Sequence, residues 1–151
     1  MLSQTSEHAI RALLYLAGRP ASGAVSADEI ATAIGAPRNY LAKTLNALAH
    51  RGLLSAVRGR GGGFMLEVDP SSLPIARIME LFEPAPERPL CLLGGRRCDA
   101  RRPCDAHARW TAMWRESMAP LETTTLGDLL SDAPAMSDGL SGRACYAQST
   151  S

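Results

Sequence analysis

The chain has 151 residues, 46% of them apolar and only 5% aromatic, with a formal net charge of +1. That suffices for one compact domain or a small domain with an appendage, and Leu, Ala, Ile and Met must fill its core. No run approaches the ~20 apolar residues of a membrane span. The opening residues, Met1 to His8, have neither the basic flank nor the apolar core of a secretion signal. The expected location is the cytoplasm, where thiols stay reduced and clustered cysteines bind metal or sense redox state.

The charge is unevenly spread. Residues 1–63 hold seven Lys/Arg against three Asp/Glu, and residues 64–151 hold nine against twelve. A basic N-terminal half fits a partner with a phosphate backbone.

Taken in chain order, Ile10, Leu13, Leu14 and Ala17 recur at helical spacing and predict an amphipathic helix from Ser6 to Ala17, ended by Gly18-Arg19-Pro20. Ser26 and Glu29 form a capping-box pattern ahead of a short helix from Ala27 to Ile34, which Gly35 stops in the left-handed conformation. Pro37 restarts a helix that runs to about His50, with Leu41, Leu45 and Leu48 as its buried stripe. Two short helices joined by a Gly turn are a helix-turn-helix, whose second helix enters the major groove. Arg38, Asn39, Tyr40, Lys43 and Thr44 fall largely off the stripe and are the DNA-contact candidates: Arg reads guanine and Asn reads adenine, while Tyr40 and Thr44 suit phosphates.

Leu53 to Val57 and Phe64 to Val68 read as strands around the basic, Gly-rich tip Arg58 to Gly63. A helix-turn-helix followed by such a hairpin is a winged helix. Arg58 and Arg60 reach phosphates or a narrow minor groove, and Gly61, Gly62 and Gly63 allow close backbone approach. A nucleotide-binding loop is the competing reading of these glycines, but neither the Lys-Ser/Thr pair nor the helix of a P-loop follows. Leu73 to Phe82 predicts a further short helix.

Residues 91–107 carry the most distinctive chemistry. Cys91, Cys98, Cys104 and His107 are separated by six, five and two residues, in a segment rich in Gly, Arg and Pro. Three thiols in such a loop are poorly explained as packing. A thiol-disulfide switch is one reading, with Arg96, Arg97, Arg101 and Arg102 favouring the thiolate. Zinc held by three Cys and His107 is another, and an iron–sulfur cluster fits the ligand type equally; the spacing does not choose. From Asp105 the pattern is helical, and its apolar residues Ala108, Trp110, Met113, Trp114, Met118 and Leu121 read as a dimer interface. Thr125 to Asp128 caps a last short helix through Leu130. Residues 131–151, which include Cys145, read as a disordered tail. No catalytic constellation or nucleotide fingerprint is visible, so an enzyme is not expected.

Over roughly residues 1–130 the chain resembles the IscR/NsrR/RirA group of bacterial winged-helix regulators. The resemblance rests on the opening Leu2 to Leu13, the helix pair from Ile30 to Leu48, the wing from Val57 to Phe64, the three-cysteine segment and the closing Thr124 to Leu129. It implies a homodimer on a roughly palindromic operator and an iron–sulfur cluster held by Cys91, Cys98 and Cys104. His107 matches the fourth ligand of IscR-like relatives and favours a 2Fe–2S cluster. Glu7, supplied by the partner subunit as in NsrR-like relatives, is the alternative and favours 4Fe–4S.

The expectation is therefore a mainly α chain. A winged helix-turn-helix with a two-stranded wing occupies 1–75, a cluster loop and long dimerisation helix 76–130, and a tail 131–151. Its function would be transcriptional regulation coupled to redox, nitric oxide or iron status. The alternative is a zinc- or thiol-bearing winged-helix interaction module without a cluster.

Overall fold

The structure is a computed structural model that describes residues 3–19, 23–82 and 105–132, with backbone alone at positions 105, 108, 110, 111, 114 and 132. Helix α1 spans Gln4–Ala17, α2 Ala27–Ile34 and α3 Arg38–His50. Strands β1 (Leu54–Val57) and β2 (Gly63–Leu66) form an antiparallel pair, followed by a 3-10 turn at Pro70–Ser72 and helices α4 (Ile75–Glu80), α5 (Asp105–Thr123) and α6 (Leu126–Asp132). This is a mostly helical winged helix, as the sequence predicts. No helix among the described residues is long and apolar enough to cross a membrane.

Helix α1 begins two residues earlier than its apolar pattern suggests, because Ser3 is its cap: the Ser3 hydroxyl accepts from the Ser6 amide at 3.2 Å. Ser6 itself is wholly buried, as are Ala9, Ala12 and Leu13. Those small side chains let neighbours approach, and α1 packs against α2, α3, α4, α6 and β2.

Helix α2 has eight residues, too few to be stable alone in water. Full burial of Ile30 and Ile34 supplies about 2 kcal/mol for each side chain. Its ends follow local chemistry. Ser26 accepts from the Glu29 amide at 3.2 Å, and Gly35 closes the helix at φ +67° with the Ala36 amide bonded to the Ala31 carbonyl. Only half of the predicted capping box forms, however. The Glu29 carboxylate turns to the end of α1, where it accepts from the Tyr15 hydroxyl and pairs with Arg19 just beyond the helix.

The wing pairs Leu54 with Leu66 and Val57 with Gly63. A third segment joins it: Val25 donates to the Phe64 carbonyl at 3.0 Å, and the Phe64 amide donates to the Val25 carbonyl at 2.8 Å. This contact explains Gly63, since a Cβ there would lie 2.2 Å from the Val25 carbonyl oxygen.

Helices α5 and α6 close the fold against α4 and α1. Met118 and Leu121, read from sequence as part of a dimer face, pack on the chain's own core, whereas Met113 is exposed. The side chains of Ala108, Trp110 and Trp114 lie outside the described residues, as do the predicted extended segment 83–89, the cysteines and residues 133–151 of the predicted tail; residues 131 and 132 belong to α6. At the start of α6 a reciprocal capping box is complete. The Asp128 amide donates to the Thr125 hydroxyl at 3.1 Å, and the Asp128 carboxylate accepts from the Thr125 amide and hydroxyl at 2.8 and 2.7 Å.

Two expected outcomes follow from these contacts. Gly63→Ala forces the wing away from Val25 and lowers the denaturation midpoint, whereas Arg60→Ala, at an exposed wing position, leaves the Val25 contact intact; equal effects of the two substitutions would contradict the close approach. The backbone and hydroxyl donors of Thr125 hold the Asp128 carboxyl below the usual carboxylate range. Its stabilisation is fully present above the unfolded value of about 3.9 and is lost as pH falls through the lower folded value. Asp128→Ala is then less stable than the parent at neutral pH, by a small and salt-independent margin for the cap and a salt-sensitive one for the charge, and the charge-dependent gap closes in acid titrations followed by circular dichroism.

Candidate nucleic-acid interface

Helix α3 divides cleanly by face. Leu41, Leu45 and Leu48 are wholly buried, while Arg38, Asn39, Tyr40 and Lys43 are exposed. Its first residue follows Pro37, which caps the helix without a side-chain bond and has no amide hydrogen to leave unpaired. The N-terminal turn thus projects outward from the body of the fold, which is the disposition of a recognition helix.

Thr44 departs from the expectation. It is only 3% exposed, and its hydroxyl donates to the Tyr40 carbonyl at 3.3 Å. Lying three residues past Leu41 and one before Leu45, it rotates onto the inner side, where its hydroxyl does not reach a phosphate.

Tyr40 is exposed to 41% but not free. Its hydroxyl hydrogen-bonds the Thr5 hydroxyl, and the His8 ring meets it edge-on at 5.7 Å and 74°. His8 Nδ1 is buried with no hydrogen-bond partner among the described residues. The first turns of α1 and α3 are thereby joined, and Thr5, Tyr40, Lys43, Thr44 and Phe82 line one open depression there. Arg38 also has a partner: its Nε pairs with the carboxylate of Asp28 at the start of α2. Neither Thr5, His8 nor Asp28 stands out in the sequence. Asp28 reads as a first-turn acid of α2, and no spacing rule connects positions on two helices separated by a turn.

In the wing, Arg58 and Arg60 are exposed, and Gly59 and Gly61 take positive φ of +101° and +81°. Gly62 is required for a different reason from the one its composition suggests. A Cβ there would lie 2.3 Å from the Val57 carbonyl oxygen, so its missing side chain serves the hairpin's own closure. Gly59 and Gly61, by contrast, face open space.

Cys91, Cys98 and Cys104 lie outside the described residues. Among the described residues no three His, Cys, Asp or Glu side chains gather as a metal site. His107 is half-buried in the first turn of α5. Glu7 is exposed on α1, and its carboxylate accepts from Arg11 at 3.3 Å.

The sequence profile of the Rrf2 family, described as an iron-dependent transcriptional regulator, matches residues 2–132. The chain belongs to the Rrf2 family. As a member of that family it is a DNA-binding transcriptional regulator, which agrees with the outward-facing α3 and the basic wing. An HTH-type transcriptional regulator of Aquifex aeolicus (strain VF5) is 35% identical over 132 residues, covering 86% of this chain and 91% of its own. The HTH-type transcriptional regulator IscR of Klebsiella pneumoniae (strain 342) is 28% identical over 131 residues, covering 87% and 80%. Among solved structures, T. potens IscR superposes with a TM-score of 0.70 at 25% identity, covering 89% of this chain and 88% of that one. CymR, the global cysteine regulator of B. subtilis, shares the fold with a TM-score of 0.73 at 21% identity, covering 89% and 98%.

Since the Thr44 hydroxyl bonds its own helix, Thr44→Val in this Rrf2 protein is expected to leave DNA affinity unchanged in fluorescence-anisotropy titrations. A loss comparable to that of Lys43→Ala would return Thr44 to the contact surface.

Proposed function

We propose that this Rrf2-family protein is a homodimeric regulator that senses redox, nitric oxide or iron status through an iron–sulfur cluster and reports it as promoter occupancy. The observation that carries the reading is the span of the family match. A profile described as iron-dependent covers residues 2–132, and so includes both the DNA-reading half and the segment with Cys91, Cys98 and Cys104. The IscR relatives support it. In this reading residues 1–75 are the DNA-binding domain, 76–130 hold the cluster ligands and the dimerisation helix, and the protein works in the cytoplasm.

The donor chemistry fits. Three thiolates suit iron–sulfur iron, and a half-buried imidazole three residues beyond Cys104 completes the set. His107 is favoured over Glu7 as fourth ligand because the Glu7 carboxylate is already engaged by Arg11. A His ligand favours 2Fe–2S; Glu7 from the partner subunit would favour 4Fe–4S. When bound, such a cluster supplies a group that responds to oxidants, nitric oxide and iron supply. The protein's own contribution is a difference in affinity between two arrangements of the dimer. A coupling of ~1–3 kcal/mol corresponds to roughly 5–150-fold regulation.

The test is an anaerobic absorption spectrum with iron and sulfide analysis of the parent, His107→Ala and Glu7→Gln, followed by DNA titration of cluster-loaded and cluster-free protein. A coloured protein with iron and sulfide in cluster ratio, a changed spectrum for His107→Ala only, and unequal DNA affinities are expected. A colourless protein with stoichiometric zinc overturns the cluster, and equal affinities overturn the coupling.

A further inference from the structure

Three acidic side chains fall within residues 1–63, and each has a basic partner. Glu7 pairs with Arg11 inside α1, and Glu29 pairs with Arg19 at the far end of that helix. Asp28 differs, because its partner, Arg38, is the first residue of the DNA-reading helix. The contact crosses the turn of the helix-turn-helix and joins the first turns of α2 and α3. Both side chains remain well exposed, 70% for Arg38 and 56% for Asp28, so the pair adds little to stability. Its consequence is placement.

The geometry points to Asp28 as a specificity-determining positioning residue that orients Arg38 toward a single guanine. This rests on the reading of α3 as the recognition helix. A guanidinium carries its donors in a fixed planar fork. Asp28 occupies the Nε side, which leaves the terminal Nη1–Nη2 end to donate to the O6 and N7 acceptors that only guanine presents together in the major groove. An untethered Arg at the same position samples phosphates as readily as base edges, and phosphate contacts raise affinity without discriminating sequence. The Asp28 carboxylate also repels nearby phosphates. It therefore lowers affinity for arbitrary duplexes while sparing the one in which Arg38 meets a guanine. Specificity is a difference of affinities, and this pair acts on both sides of it.

The experiment uses the full chain, prepared anaerobically, as parent, Asp28→Asn, Arg38→Ala and the double variant. The parent first selects duplexes from a randomised library. Anisotropy titrations then use the selected duplex, copies with each guanine replaced in turn, and a scrambled duplex. The parent is expected to prefer guanine at one position of each half-site by about tenfold, a preference that Arg38→Ala abolishes and Asp28→Asn cuts to about threefold. Asp28→Asn binds the scrambled duplex more tightly, with a log–log salt slope steeper by about one. Adding Asp28→Asn to Arg38→Ala changes the guanine preference no further. If the parent enriches no sequence, or Arg38→Ala leaves every preference intact, the reading of α3 fails and the role of Asp28 fails with it. If Arg38→Ala removes a guanine preference that Asp28→Asn leaves whole, recognition by α3 stands and the role of Asp28 is overturned.

Discussion

The burial of α1 is the constraint on which the other elements depend. Its inner face carries Ser6, Ala9, Ala12 and Leu13 without exposed surface. Small side chains at three of these positions bring the backbones of its neighbours close, and α1 meets α2, α3, α4, α6 and β2. Close-packed interiors transmit displacement and do not absorb it. One end of α1 touches Tyr40 on α3 through Thr5 and His8, while the other meets α2 through Arg19 and Glu29. Any shift of α1 is thus felt at the helix-turn-helix from both ends.

A second constraint ties the wing to the same body. The Val25–Phe64 backbone pair bonds the segment before α2 to β2, and only a residue without a side chain fits against Val25 at position 63. The two-stranded wing is therefore bridged to the body through Val25 and is not a free arm. Arg58 and Arg60 at its tip keep a fixed spatial relation to Arg38, Asn39 and Lys43 on α3. Charges held at fixed separation meet a phosphate backbone with less ordering cost than charges on a loop. The glycines of the tip serve this rigidity at Gly62 and Gly63 and conformational freedom at Gly61.

Much of this was legible from residue chemistry, and the failures share one cause. The bounds of α2 follow from Ser26 and Gly35 because caps are local: the side chain and the amide it satisfies are three residues apart. The same holds for Thr125 and Asp128. The start of α1 is not legible in the same way: two serines compete, and burial, which no local rule reveals, decides for Ser3 as cap and Ser6 as core. Glu29 shows the limit again: as a capping-box residue it has one partner in sequence, but in the fold Tyr15 of α1 and Arg19 just beyond that helix take it. For the interface, the helical period places Arg38, Asn39, Tyr40 and Lys43 outward, as they are in the fold, whereas Thr44 sits at the boundary of the stripe, where a rotation of one position reverses its face. The Asp28–Arg38 pair was invisible because the turn between the helices sets it. The cysteine segment lies outside the described residues, so its reading rests on donor type and family.

On the proposed reading, regulation must act through what the packed core does not fix. A bound group shifts an equilibrium only by its different affinity for the two arrangements. The buried stripes of α1 and α3 admit no continuous deformation, which leaves the exposed junction between their first turns. Phe82, the last described residue before the cysteine segment, lines the depression there beside Thr5, Tyr40 and Lys43. His107 marks the segment's other end, at the start of the helix that packs on α4. The contact of Tyr40 with Thr5 and His8 joins this depression to the recognition helix. The unpaired Nδ1 of His8 identifies that contact as the least satisfied polar junction among the described residues, and an unsatisfied buried donor or acceptor narrows the free-energy gap between one arrangement and the next. The junction that binds α1 to α3 is therefore held by packing and by the Thr5–Tyr40 bond, without help from the His8 ring nitrogen.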